Sequence, residues 1–248
     1  MFTALPTRRL SETVADRIRL LIVSRKLKAG ERLPSERELG RQFGISTATV
    51  REALRGLEAF GIIEKKRGKG GGIFVGQVRM DSVKAMLHSY FSSRDFTASQ
   101  VNEVRAIIEP GTARLAALRL DRDAMDRLQE NILFCQERLE KSDRAPSERD
   151  YSELEQAITD FHRLVAHASR NPVLILVTDY LMDFLLESTR KLRLRLDPEI
   201  TARVIEEHRR IYELLKVGDG AGAQRMMRKH LAMTKKYLAE KEHTSGLI

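Results

Sequence analysis

The stretch LPSERELGRQFGISTATVREALRGLEAFGIIEKKRGKGGGIFV, residues 33–75, decides the fold. Ser35 follows Pro34 and precedes Glu36 and Glu38, a helix start with acidic groups in its first turn. The spacing predicts a helix over about 35–42 that stops near Gly44. Ser46 is the next N-cap. A helix over 47–60 puts Val50, Ala53, Leu54 and Leu57 on one face, and Gly61 ends it. Residues 62–66 and 73–77 (IIEKK and IFVGQ) read as two short strands around the Gly-rich turn RGKGGG. Upstream, 11–25 (SETVADRIRLLIVSR) predicts a further helix capped by Ser11, with Val14, Ile18, Leu21 and Ile22 inward. The order is helix, helix, tight turn, helix, β-hairpin. That is a winged helix-turn-helix, in which the second helix of the pair lies in the DNA major groove.

The charge distribution agrees. Residues 1–77 hold 16 Lys+Arg against 8 Asp+Glu, whereas 78–248 hold 28 against 27. Nearly all of the net +9 therefore belongs to the small N-terminal module, as expected of a nucleic-acid binder joined to a neutral second domain. A solvated basic face is the alternative reading of charge alone. With 42% hydrophobic residues the chain can build a core, and one cysteine, Cys135, excludes a disulfide framework or a Cys-based zinc finger. No apolar run is long enough to span a membrane. The N-terminus turns charged within ten residues and lacks an apolar signal region. The expectation is a cytoplasmic chain with no membrane partner.

Beyond residue 82 no strand pattern recurs. Apolar spacing of three and four runs through 100–119, 122–141, 151–169, 173–190, 199–217 and 221–240, with a short helix expected at 82–91. Breaks fall at Asp121, the polar stretch 142–150, Asn171-Pro172, Asp197-Pro198 and Gly218-Asp219-Gly220. Pro110, inside the first long helix, predicts a kink. The expected fold is mainly α. A winged helix-turn-helix domain with a small β-hairpin (1–77) and a linker (78–81) precede an antiparallel bundle of six or seven helices (82–248).

The stretch 33–75 strongly resembles the winged helix-turn-helix of the GntR family of bacterial transcription regulators. VRAIIEPGTARLAA (104–117), DFHRLVAHASRNPVL (160–174) and EEHRRIYELLKVGDGAGAQRMMRKHL (206–231) are similar to the all-helical effector domain of its FadR-type subfamily. The resemblance covers almost the whole chain. It implies a homodimeric repressor or activator on palindromic operator DNA, whose affinity is set by a small effector in the helical domain.

The resemblance also implies site residues. Arg37, Ser46, Thr47, Thr49 and Arg51 fall at the DNA-contacting positions, and Gly68, Lys69 and Gly70 form the wing tip. Short hydroxyls at a helix N-terminus suit phosphates. Arg37 and Arg51 can reach a guanine edge or a phosphate, and an acidic neighbour on its own helix is the alternative partner of Arg51. Thr47 departs from the arginine more usual there and cannot make the bidentate guanine contact, so the subfamily's operator sequence does not carry over. His162, His208 and His230 match the divalent-metal ligands of the subfamily. The usual fourth ligand, an aspartate one turn before the first histidine, is replaced by Ile158. Asp160 points elsewhere on the helix and Glu155 lies about two turns from His162. Three imidazoles can hold zinc or nickel, with water or an effector carboxylate in the remaining position. The alternative is a metal-free polar pocket. Arg105 would hold an effector carboxylate, the effector being an organic acid; a plain helix pair with Glu109 is the alternative. His88, His167 and His243 read as structural or surface groups, and the cluster Arg190, Lys191, Arg193, Arg195 as a solvated turn. No HExxH, GxSxG or P-loop occurs, and no paired carboxylates are expected beside the histidines, which argues against a metal-dependent enzyme. A metal-free acyl-CoA-type sensor is the remaining alternative.

Overall fold

A computed structural model describes residues 9–68, 70–77, 97–142, 148–191 and 197–244, with isolated positions 83, 86, 87 and 90. The chain divides into two compact units, Met1–Met86 and Leu87–Ile248.

The first unit contains α1 (Leu10–Val23), α2 (Glu36–Phe43), α3 (Thr47–Ala59), β1 (Ile63–Lys66) and β2 (Gly72–Val75). α2 opens on a reciprocal capping box: Ser35 Oγ accepts from the Glu38 amide, and the Glu38 carboxylate accepts from the Ser35 amide. It closes at Gly44, whose φ of +68° needs the freedom of a residue without Cβ. Ser46 then caps α3 through the Thr49 amide. Gly40 lets the two helices meet, since a Cβ there would lie 3.1 Å from the Ile45 carbonyl oxygen. α1 begins one residue earlier than expected. Ser11 is not its cap but a buried residue inside the helix, and the cap position falls to Arg9, which supplies no side-chain hydrogen bond.

The hairpin is antiparallel, with Ile63 opposite Val75 and Lys66 opposite Gly72. Arg32 bridges to Phe74, the Leu33 amide donates to the Ile73 carbonyl, and the Val75 amide donates to the Glu31 carbonyl, so the segment before α2 extends the sheet. One core joins α1, α2, α3 and the hairpin through Val14, Ile18, Leu39, Val50, Leu54, Leu57, Ile63 and Val75.

The second unit holds, among the described residues, α4 (Ala98–Arg119), α5 (Arg122–Ser142), α6 (Glu148–Ala168), α7 (Pro172–Lys191), α8 (Pro198–Lys216) and α9 (Gly220–Thr244). Of the helix expected at 82–91, positions 83, 86, 87 and 90 are described and all are helical; the rest, His88 included, lies outside the described residues. α4 packs against α6, α7, α8 and α9 and so forms the centre of the bundle. Its small residues Ala113, Ala116 and Ala117 meet Phe161, Val165, Ile211, Leu215, Met227 and Leu231. α4 runs on through Pro110 to Arg119; the carbonyl deprived of a partner belongs to Ala106, on the exposed side. No helix among the described residues is long and apolar enough to cross a membrane.

Candidate DNA-binding surface and candidate metal and effector site

On the first unit, α3 buries Val50, Ala53, Leu54 and Leu57 and thereby turns Thr47, Arg51 and Arg55 outward. Arg37 is exposed on α2. The Ser46 hydroxyl accepts from the Thr49 amide and shares a 2.8 Å hydrogen bond with the Thr49 hydroxyl, which positions both at the start of α3. Arg51 does pair with an acidic group, but not on its own helix. Its Nε donates to Glu36 Oε2 at 3.0 Å, and Lys65 Nζ donates to the other oxygen of Glu36 at 3.1 Å. Burial pushes the Glu36 carboxyl up, and Lys65 and Arg51 together bring it below its ordinary value. Glu36 thus ties α2, α3 and the wing. The sequence reading missed it because its partners lie 15 and 29 residues away. It missed Arg32 too, which donates from Nη2 to the Gly71 carbonyl at 2.8 Å and braces the wing. Gly68 and Gly70 both have positive φ at the wing tip; Lys69 lies outside the described residues.

In the second unit the three expected histidines come together. His162 is on α6, His208 on α8 and His230 on α9; all are buried, and one ligand atom from each lies within 4.8 Å of the others. Phe161 stacks on the His208 ring at 3.9 Å between centroids and holds that imidazole in plane. Arg105 joins them from α4, its Nη2 3.2 Å from His162 Nε2.

Two carboxylates also belong to the site, which corrects the expectation that none would lie beside the histidines. Glu109 Oε2 is 2.6 Å from His162 Nδ1, and Glu109 Oε1 accepts from Arg105 Nε at 2.6 Å. Glu207 Oε2 is 3.1 Å from His230 Nδ1. Burial would raise the Glu109 carboxyl, but Arg105 and His162 overcome it and bring it down to about 2. Glu207 is lowered as well, burial opposing and His230 prevailing. Burial pushes the His162 imidazole down to about 4, with Arg105 adding to that and Glu109 working against it. His208 is driven well below its ordinary value by burial and by His230 and His162. The arrangement sets His162 and His208, both held toward the neutral form, beside the ionised carboxylates of Glu109 and Glu207. Each carboxylate accepts from a histidine Nδ1 and leaves the Nε2 lone pair facing inward, the orientation a metal ligand needs.

The remaining predicted groups lie elsewhere. Ile158 packs against the apolar cluster of Cys135, Leu154, Ala157 and Ile205, where burial pushes the Cys135 thiol up to about 12. Asp160 accepts from Gln156 and pairs with Arg163. Glu155 lies 4.0 Å from Arg190, outside the histidine cluster. His167 is largely exposed, 3.9 Å from Asp179. Arg193 and Arg195 lie outside the described residues, as does the side chain of His243.

Acid should weaken the metal-free protein through these groups. The folded pKa values of His162 and His208 lie below the unfolded value of about 6.5. Their contribution is therefore intact above pH 6.5 and is lost progressively as pH falls below it, for His162 toward about 4, because only the unfolded chain takes up the protons. Glu109 adds a further loss below its unfolded value of about 4.5. Urea titrations at pH 7.5, 6 and 5 should show a decreasing midpoint, and a double His162→Gln, His208→Gln variant should flatten that trend. A midpoint that is flat from pH 7.5 to 5 in the parent would contradict it.

The fold defines a class: a winged helix-turn-helix unit followed in the chain by an all-helical unit. Residues 10–75 match the family model of the bacterial regulatory proteins of the gntR family, and residues 100–233 match that of the FCD domain. The chain belongs to the gntR family, in the group that carries the FCD domain, and is a transcription regulator, not an enzyme. It is 34% identical over 232 residues, 91% of this chain and 84% of the relative, to an Escherichia coli (strain K12) regulatory protein whose name refers to the L-lactate dehydrogenase operon. It is 31% identical to the transcriptional regulator LutR of Bacillus subtilis (strain 168), over 85% of this chain and 93% of LutR. It is also 31% identical to the Glc operon transcriptional activator of Escherichia coli (strain K12), over 95% and 91% of the two chains. A solved structure, Streptococcus agalactiae GntR, shares the fold at a TM-score of 0.64 and 22% identity, covering 92% of this chain and all of that one.

Proposed function

We propose that this regulator binds a palindromic operator as a homodimer and that a small organic acid sets its DNA affinity. In this reading the acid sits in the helical unit with a divalent metal, zinc or nickel, on His162, His208 and His230, and Arg105 takes its carboxylate. The observation that carries it is the convergence of three buried imidazoles, two oriented by carboxylates, beside a buried guanidinium. The donor set fits zinc. The 3.3 Å between His208 Nε2 and His230 Nε2 is close to the separation of about 3.4 Å that two nitrogens have on a tetrahedral zinc. Zinc would polarise a bound carboxylate, and Arg105 would orient it. One relative's name refers to an L-lactate dehydrogenase operon, and L-lactate carries the single carboxylate that Arg105 would take. The test is calorimetry with zinc, then with L-lactate added to the zinc-loaded protein. Heat from zinc and a tighter second isotherm with lactate support the reading; absence of zinc binding after chelator removal contradicts it.

For DNA, Arg37→Ala and Arg51→Ala should each weaken binding at a selected operator by roughly 1–3 kcal/mol, and affinity should fall steeply with salt. Gel-shift or anisotropy titrations check both. Unchanged affinity in the two variants would mean that α3 does not approach DNA as proposed. The dimer is supported by apolar residues left exposed on α4: Val104, Ile107 and Leu118 are 40%, 78% and 66% exposed, with successive spacings of three and eleven residues that put them on one side of the helix. Changing Ile107 and Leu118 together to Asp should give monomers at micromolar concentration in sedimentation experiments. Dimers of undiminished stability would move the interface elsewhere.

A further inference from the structure

Hydrogen bonds already satisfy the histidine cluster, and the way they do so limits when a metal can enter. His162 Nδ1 faces the Glu109 carboxylate at 2.6 Å, so its proton sits on Nδ1 and its lone pair on Nε2. That lone pair receives the Arg105 Nη2–H at 3.2 Å. His230 repeats the pattern: Nδ1–H donates to Glu207, and the Nε2 lone pair faces His208 Nε2, 3.3 Å away, which then carries the donated proton. Both lone pairs that a metal would use are occupied by donors. One donor, His208, is neutral and can move its proton to Nδ1. The other, Arg105, is a fixed cation. It is held from Nε by Glu109 at 2.6 Å and from Nη1 by Asn102 at 3.2 Å, both on its own helix. A metal about 2.1 Å from His162 Nε2 would meet this guanidinium at close range, in a site where Arg105 and Glu109 are both buried.

We infer that Arg105 is a resident cation that competes with the metal for His162, and that a carboxylate lifts this competition. With the metal alone, two cations face each other and His162 Nε2 must exchange one for the other. With a carboxylate between them, one oxygen can bind the metal and the other can accept from the arginine, so the repulsion becomes attraction on both sides. The same side chain then opposes metal alone and favours metal with acid. Ile158 brings no charge to the cluster: it packs against Cys135, Leu154, Ala157 and Ile205, so the negative group comes with the acid. The regulator would report the coincidence of two ligands, with reciprocal coupling between them.

This inference rests on the metal reading proposed above, and the experiment separates the two. Zinc affinity of the full chain is measured by competition with a chromogenic chelator, without and with L-lactate, for the parent and for Arg105→Gln. The expected result is at least tenfold tighter zinc in R105Q without lactate, and loss of the tightening that lactate produces in the parent. The double variant Arg105→Met, Glu109→Gln removes both buried charges together and leaves an amide oxygen to accept from His162 Nδ1. It should show the same gain in zinc affinity and guards against a misfolded R105Q. Folding of each variant is read from its far-ultraviolet circular dichroism melt. Zinc bound equally or more weakly by the folded variants overturns the competition while leaving the metal site standing. No zinc bound by the parent or by either variant overturns the metal reading itself, and the competition with it.

Discussion

Glu109→Ala lowers the stability of the metal-free protein by about 3–5 kcal/mol, the usual cost of removing one partner from a buried ion pair. The reason is the charge that stays behind. Arg105 and Glu109 are 3% and 2% exposed, too little for water to replace the lost carboxylate. Arg105 would keep its bond to Asn102 but lose the carboxylate that pairs with it, and the His162 Nδ1–H would lose its acceptor. Glu109→Gln keeps an oxygen acceptor but leaves the guanidinium uncompensated, so an intermediate loss is expected. Urea denaturation with far-ultraviolet detection checks both. The folded fraction of Glu109→Ala, if zinc loads at all, should bind it roughly 10–100-fold more weakly, since the oriented tautomer of His162 is gone. A stability loss of less than about 1 kcal/mol would mean that the pair only breaks even against its desolvation, and that packing alone holds α4 against α6.

The winged unit was legible because its signals are local. Ser35, Gly44 and Ser46 act within a turn of themselves, and Val50, Ala53, Leu54 and Leu57 show their common face by spacing alone. Ser11 looked like a third such cap. What decides it is not its neighbours in sequence but the core, which buries Ser11 inside the helix. The helical unit was legible in its periodicity, and its breaks at Asp121, Asn171, Asp197 and Gly218 coincide with the observed helix ends. The three histidines could be placed only through resemblance, since 46 residues separate His162 from His208 and 22 separate His208 from His230.

The two carboxylates were invisible for a plainer reason: each looks like a surface charge. Glu109 stands four residues after Arg105, the spacing of an ordinary exposed helix pair. The pair exists, but it faces inward, on the side of α4 that carries Val101, Thr112, Ala113 and Ala116. That coincidence with the apolar face was the available signal. Glu206 and Glu207 show how narrow such a distinction is. One step along a helix is about 100° of rotation. It sends Glu206 to Arg209 and Arg210 at the surface and Glu207 to the buried His230. Arg51 and Glu36 fall between these cases: an acidic partner on its own helix was only the alternative reading of Arg51, and tertiary contact supplied one from the preceding helix.

Ile158→Asp should separate the stability of the site from its affinity for metal. Ile158 lies one turn before His162, half-buried against Cys135, Leu154, Ala157 and Ile205. Without metal, the aspartate loses that apolar packing and brings a carboxylate toward an apolar cluster, so the variant should melt at a lower temperature than the parent. With zinc the sign reverses. The carboxylate can swing toward the histidines as an anionic ligand from the chain, and zinc affinity should rise at least tenfold. A ligand present at about 1,000 times its dissociation constant stabilises by about 4 kcal/mol, and at about 100 times by about 2.7. At one fixed zinc concentration the variant should therefore show the larger zinc-induced rise in melting temperature, even from its lower start. L-lactate should then add less than it does in the parent, because the negative charge that it would supply is already present. Differential scanning fluorimetry over a zinc series, repeated with lactate, measures all three effects. Equal zinc affinity in parent and variant would place position 158 outside the metal's reach.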